Sequence, residues 1–94
     1  MLVKVKNLNG IDKNQILLSD ISWKIWWEKK QGRTLPAKCS RDGCNQVAID
    51  VFPVQKADGE TSWYMVPLCK CCGERKMHDE FEVKADDLQL IDIK

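Results

Sequence analysis

The segments Cys39-Ser40-Arg41-Asp42-Gly43-Cys44 and Cys69-Lys70-Cys71-Cys72 decide the fold of this chain. Four residues separate the two cysteines of the first pair, and two residues separate Cys69 from Cys72. Such spacings let both thiols of a pair approach one metal ion from a short loop. The total of five cysteines is odd, which fits reduced thiols and metal binding better than a framework of disulfides.

We therefore predict that Cys39, Cys44, Cys69 and Cys72 bind one structural zinc ion. Zinc takes four thiolates in a closed tetrahedral site that leaves no coordination position for a substrate. Two other interpretations stay open: the thiolates could hold an iron–sulfur centre, or the cysteines could be buried as small apolar side chains. Cys71 lies directly beside Cys72, so we interpret it as a thiol outside the ligand set.

The length and charge of the chain set limits on its class. With 94 residues it has the size of a single domain, and we take residues 1–94 as one zinc-stabilised unit. The formal net charge of +1 gives no strong field to attract nucleic acid or an anionic membrane. The apolar stretches are too short to span a bilayer, and the first residues do not resemble a secretory signal, so we expect a cytoplasmic protein.

Apolar periodicity and turn-forming residues predict strands and helices on both sides of the cysteine pairs. The predicted elements are a strand over 2–8, a helix over 22–30 ending at Gly32, hairpin strands over 47–55 and 61–66 with a turn at 57–59, a short helix over 70–78, and one or two strands over 81–93. Pro67 is expected to end the second hairpin strand. The order of cysteine loop, hairpin and helix predicts an α+β fold, a small ββα domain with a treble-clef core over residues 39–80.

Several segments together resemble a family of small bacterial HNH-like zinc proteins, also called His-Me finger proteins. The matching segments are residues 5–10, Ser22-Trp23 with Trp27 and Gly32, the loop 39–44, and residues 63–69. The resemblance covers most of the chain and implies a treble-clef core on a nuclease-like scaffold.

The chain departs from this family at the positions that carry catalysis. Asp50 stands where the relatives have the histidine that acts as general base, Trp26 stands where they often have another histidine, and Gly73 stands where they have asparagine. The resemblance therefore implies a degenerate scaffold that binds without catalysis. The alternative is a metal-dependent HNH-type nuclease in which Asp50 and Glu80 hold a divalent ion and His78 is the base.

Tryptophans and basic residues cluster before the first cysteine. We expect Trp23 and Trp27 in the core and Trp26 partly exposed as a contact residue at an interface. The basic residues around them are Lys24, Lys29, Lys30, Arg33, Lys38 and Arg41. Basic side chains interleaved with aromatic rings are typical of nucleic-acid grooves, but a charged stretch is also typical of a solvated surface. The partner is therefore predicted to be a protein or a nucleic acid, with the choice left open.

Overall fold

The computed structural model describes residues 1–8, 23–59, 62–75 and 79–91. The strands and helices it contains are β1 (Leu2–Asn7), α1 (Trp23–Gln31), β2 (Asp50–Lys56), β3 (Trp63–Leu68), α2 (Lys70–Gly73), β4 (Glu80–Lys84) and β5 (Gln89–Leu90), with a one-turn 3-10 helix at Ala85–Asp87. The predicted first strand, first helix, hairpin and C-terminal strands are therefore confirmed, with shifted ends. Ser22 and residues 76–78 of the predicted second helix lie outside the described residues. Glu74 and Arg75 are described and lie outside α2.

The predicted α+β treble clef over residues 39–80 is wrong. All five strands join one antiparallel sheet in the order β4-β1-β2-β3-β5, so the domain is mostly β-structure. The hairpin β2–β3 is its centre, and the turn contains Gly59 at a φ of 96°, a conformation that favours glycine. β1 pairs with β2 on one side and β4 on the other, which extends the hairpin into a broad sheet.

The second helix is short because two distant contacts end it. The side-chain amide of Asn7 donates to the carbonyls of Cys72 and Gly73, at 3.1 and 3.4 Å, which a continuing helix would use itself. A Cβ at Gly73 would collide with the ring of Phe52 on β2, so the close approach of α2 to the sheet requires glycine there. The predicted helix over 70–78 is therefore reduced to the four residues Lys70–Gly73 among those described.

Pro67 does not end the second hairpin strand as predicted. It lies buried inside β3 opposite Val51. Proline is tolerated where no partner strand needs its N–H. At this position the carbonyl of Pro67 is the group that is used, because it accepts a hydrogen bond from the N–H of Ser40 at 3.0 Å.

The side chains of the sheet form two buried clusters, one on each face. One cluster contains three of the cysteines and the strand residues Val5, Val54, Val66, Leu68, Phe81 and Val83. The other packs α1 against the sheet through Trp23, Trp27, Val51, Met65 and Ile91. Trp23 and Trp27 are only 7% and 0% exposed, which confirms their prediction as core. The cysteines and the tryptophans therefore stabilise opposite faces of one sheet.

Polar contacts fix α1 to the segment around β5. The indole N–H of Trp27 donates to the carbonyl of Asp87 at 3.0 Å. The buried carboxylate of Asp87 accepts from Arg33 at 2.6 Å, and the Arg33 guanidinium lies 5.0 Å from the centre of the Trp27 ring. Gln31 adds a hydrogen bond to the side chain of Gln89 at 3.0 Å.

Within the described ranges, no helix is both long and apolar enough to cross a membrane.

Candidate metal centre

The first cysteine loop, residues 39–44, is held by its own backbone. The N–H of Cys39 donates to the carbonyl of Gln46 at 2.8 Å, and Lys38 and Val47 form an antiparallel bridge beside it. The N–H of Cys44 closes a turn onto the carbonyl of Arg41 at 3.1 Å. The two cysteines therefore sit at the base and the end of one tight loop.

Ser40 attaches this loop to two strands on different sides of the sheet. Its N–H bonds to β3 through Pro67, and its carbonyl and hydroxyl oxygens both accept from the N–H of Lys84 on β4, at 3.2 Å. The N–H of Asp42 also donates to the carbonyl of Glu82 on β4, at 2.8 Å. The first cysteine loop thus covers the edge of β4 and is also attached to β3.

The second cysteine loop, residues 69–72, follows β3 directly. Cys69 precedes α2, and its sulfur accepts the N–H of Cys72 at 3.4 Å. Asn7 holds the other side of the loop through the carbonyls described above, and its own backbone N–H donates to the carbonyl of Asp79 at 2.9 Å. The loop is therefore fixed by the end of β1, a segment more than 60 residues earlier in the chain.

The four sulfur atoms converge between the two loops. Sγ atoms of Cys39, Cys44, Cys69 and Cys72 all lie within 4.8 Å of one another. The Cys44–Cys69 and Cys44–Cys72 sulfur pairs are separated by 3.8 and 3.9 Å. Four sulfurs at about 2.3 Å from a central zinc ion in tetrahedral geometry stand about 3.8 Å apart, so these distances fit the metal. They are also far too long for a disulfide, whose S–S bond is about 2 Å.

The cluster is closed to solvent on most sides. Cys39, Cys69 and Cys72 are buried, Cys44 is half-buried, and Cys71 is exposed and outside the cluster. Among residues 1–8, 23–59, 62–75 and 79–91, these four cysteines are the one group of metal-ligating side chains that lie close enough together to hold an ion. The cluster can therefore hold a metal ion, and the separation of Cys71 from it agrees with our interpretation of that thiol.

Burial makes the Cys39 and Cys72 thiols poor anions without a metal. It raises the pKa of the Cys39 and Cys72 thiols above their ordinary value. Burial also acts to raise the pKa of Cys69, but hydrogen bonds from the Cys72 N–H and from the neighbouring thiols outweigh it and lower that pKa. A bound dication would favour the thiolate form, because metal coordination deprotonates a thiol.

Arg41 supplies a positive charge at the edge of the cluster. Its Nη1 lies 3.9 Å from the sulfur of Cys72, and this contact raises the pKa of the Arg41 guanidinium. Four thiolates around a doubly charged ion leave a net negative charge, which a neighbouring guanidinium offsets. Arg41 thus lies where it would offset the charge of a metal ion bound by the four cysteines.

The residues of the nuclease alternative are not brought together. Asp50 begins β2, and its Oδ1 accepts the N–H of Val51 at 2.7 Å. Glu80 begins β4 and is exposed. In the register of the sheet it stands opposite Lys6 on β1, and Lys6 stands opposite Gln55 on β2. Along β2, Asp50 and Gln55 are on the order of 16 Å apart at 3.3 Å per residue, so Asp50 and Glu80 cannot share an ion. His78 lies outside the described residues.

Sequence reasoning missed the three residues that support the cysteines. Asn7 and Arg41 contact the second cysteine loop, and Ser40 attaches the first loop to β3 and β4, from positions that carry no metal-binding signature. A weak signal existed for Ser40 and Arg41, because they lie between two ligands. Nothing in the pattern around Asn7 linked β1 to Cys72.

Comparison with protein families, with curated proteins and with solved structures found no match to this chain. The resemblance to HNH-like proteins stays a prediction.

Proposed function

We propose that this protein is a small binding module whose sheet is stabilised by one structural zinc ion bound to Cys39, Cys44, Cys69 and Cys72. The single observation that supports it best is the convergence of four sulfur atoms from two separate loops to within 4.8 Å. All four ligands come from the protein, so the ion has no coordination position left for a substrate. A closed site of this kind contributes to folding and does not catalyse.

A zinc site explains the four cysteines better than their burial as apolar side chains does. Two of the sulfur separations, 3.8 and 3.9 Å, match those around a tetrahedral zinc ion. Three of the thiols are buried, and one of these, Cys72, contacts Arg41. The ion would cross-link the first cysteine loop, which bonds to β3 and β4, to the second, which follows β3. Structural zinc sites have apparent binding energies of about 10–16 kcal/mol, which is large beside the net stability of a domain of this size.

The described residues form no recognisable catalytic centre, which favours a binding role in this proposal. Asp50 and Glu80 are separated by the sheet register, and the grooves near the N-terminus are lined by scattered side chains such as Leu2, Lys4 and Ala57. Helix α1 packs against the sheet and has Ile25 and its lysines exposed, with Trp26 half-buried beside them. The proposed role is therefore to present this surface to a macromolecular partner.

Substitution of two neighbouring cysteines, one inside and one outside the cluster, tests whether the protein binds zinc. We would purify the wild type, Cys72→Ser and Cys71→Ser without added metal and measure metal per chain by elemental analysis, with thermal unfolding on the same samples. The expected result is one zinc in the wild type and in Cys71→Ser, and little or none in Cys72→Ser, which should also unfold. Full zinc in Cys72→Ser, or iron in the wild type, contradicts the proposal.

A further inference from the structure

The charge of this chain is unevenly distributed despite its net value of +1. Residues 23–41 carry six basic side chains and one acidic side chain, so the remainder of the chain carries more acidic than basic groups. The arginines of this stretch are used internally: Arg33 binds Asp87, and Arg41 contacts Cys72. The lysines of α1, in contrast, are exposed. The positive surface is therefore made by lysines and is concentrated on α1.

One flank of α1 combines these charges with apolar groups. At about 100° per residue, Ile25, Lys29, Trp26 and Lys30 follow one another around roughly 140° of the helix circumference. We call these four residues the α1 flank. Ile25 is 44% exposed, Trp26 is half-buried, and both lysines are exposed. Lys24 and Glu28 lie on the opposite flank, which is charged and has no exposed apolar residue.

Trp26 is held in a fixed orientation on this flank. Its ring packs edge-on against the buried Trp23, with 5.0 Å between ring centres, and the pair belongs to the cluster that joins α1 to the sheet. A tryptophan fixed in this way loses little side-chain entropy on binding, which is why such residues anchor interfaces. The α1 flank thus has a rigid aromatic group, an exposed aliphatic group and two cations.

We propose that the α1 flank binds an acidic protein segment that also carries apolar side chains. Carboxylates of such a segment would pair with Lys29 and Lys30, while its apolar side chains would cover Ile25 and Trp26. This identification of the partner rests on the proposed function, since α1 packs against the sheet that the zinc ion is proposed to stabilise.

The composition of the flank favours a protein over a nucleic acid. A nucleic-acid strand would engage only the lysines and the indole and would leave Ile25, the most outward residue of the flank, without a complementary group. Affinity for a polyanion also grows with the number of phosphates neutralised, and two lysines on a chain of nearly neutral charge neutralise few.

The test selects binders without assuming their sequence. Short random peptides displayed on phage would be selected on the zinc-loaded wild-type protein, and the enriched peptides would be synthesised and titrated by calorimetry. We expect the enriched sequences to combine Asp or Glu with Leu, Phe or Trp. Lys29→Glu should weaken their binding by about tenfold, and Trp26→Ala by at least as much.

The matched control is Lys24→Glu, which makes the same charge change on the opposite flank of the same helix. It should leave binding within about twofold of the wild type, as expected for a charge outside the contact. Zinc content and thermal unfolding are measured for every variant, so a failed metal site is recognised separately from a failed interface. Lack of enrichment on a folded, zinc-loaded protein, or enriched peptides that ignore Lys29→Glu, overturns the proposal. Binding of oligo(dT) that Lys29→Glu abolishes would assign the flank to nucleic acid instead.

Discussion

Asn7→Ala tests how the end of β1 supports the metal centre. The Asn7 side chain is fully buried, at 0% exposure, and its amide donates to the carbonyls of Cys72 and Gly73 at 3.1 and 3.4 Å. Alanine removes both donors and leaves a small cavity between β1 and α2. Both carbonyls then stay buried with poorer partners.

The expected loss follows from these two bonds. A buried polar group left without its partner costs about 1–3 kcal/mol. The second bond is long, and the carbonyl of Cys72 retains a contact with the N–H of Arg75 at 3.4 Å, so we take the lower end of the range, about 1 kcal/mol, for each of the two carbonyls. We expect Asn7→Ala to lower the free energy of unfolding by about 2 kcal/mol, and the melting temperature by roughly 8–16 °C for a domain of this size. Zinc affinity should fall at least about tenfold, as for other residues that orient a metal ligand.

The assay is urea unfolding of the zinc-loaded protein, followed by tryptophan fluorescence. Asn45→Ala is the matched control, because Asn45 is exposed within the segment that follows the first cysteine loop. It should change the free energy of unfolding by less than about 0.5 kcal/mol. If Asn7→Ala is as stable as Asn45→Ala and binds zinc equally well, the assigned role of Asn7 in fixing α2 is incorrect.

Three further predictions concern packing, the contact between α1 and β5, and pH. Gly73→Ala should destabilise the protein by about 1–3 kcal/mol in urea unfolding, because its Cβ must displace the Phe52 ring; a loss below about 0.5 kcal/mol would contradict this contact. Arg33→Met should cost about 1–2 kcal/mol in the same measurement, because it leaves the buried Asp87 carboxylate without its cation. This range allows for solvent screening, since the Arg33 side chain is 41% exposed; an unchanged stability would contradict the assigned role of the ion pair. Burial raises the pKa of the Cys39 and Cys72 thiols, so zinc must displace protons when it binds. Zinc affinity, measured by chelator competition, should therefore fall by more than about tenfold per pH unit below neutrality. A flat pH profile would show that the thiols do not bind the metal.

The local features of this fold could be predicted from sequence, and the long-range features could not. Cysteine spacing identified the four residues that converge, and the turn at 57–59 identified the central hairpin. The pairing of β1 with β4 joins residues 74 to 82 positions apart, from Lys6 with Glu80 to Leu2 with Lys84, and no local pattern in either strand specifies its neighbour.

The error in fold class has a physical cause in the second helix. The charged stretch after Cys69 has enough helix-forming residues to predict two turns, and a treble clef needs such a helix. Asn7 and Phe52 limit α2 to one turn through contacts from β1 and β2, which helix propensity does not include.

The central claim is that four cysteine sulfurs surround one zinc ion. X-ray absorption at the zinc edge of the protein, purified without added metal, measures the identity, number and distance of the ligand atoms directly. Our account predicts a single shell of four sulfurs at about 2.3 Å and no nitrogen or oxygen ligand. A shell with fewer than four sulfurs, or a well-folded protein that contains no zinc, would contradict it.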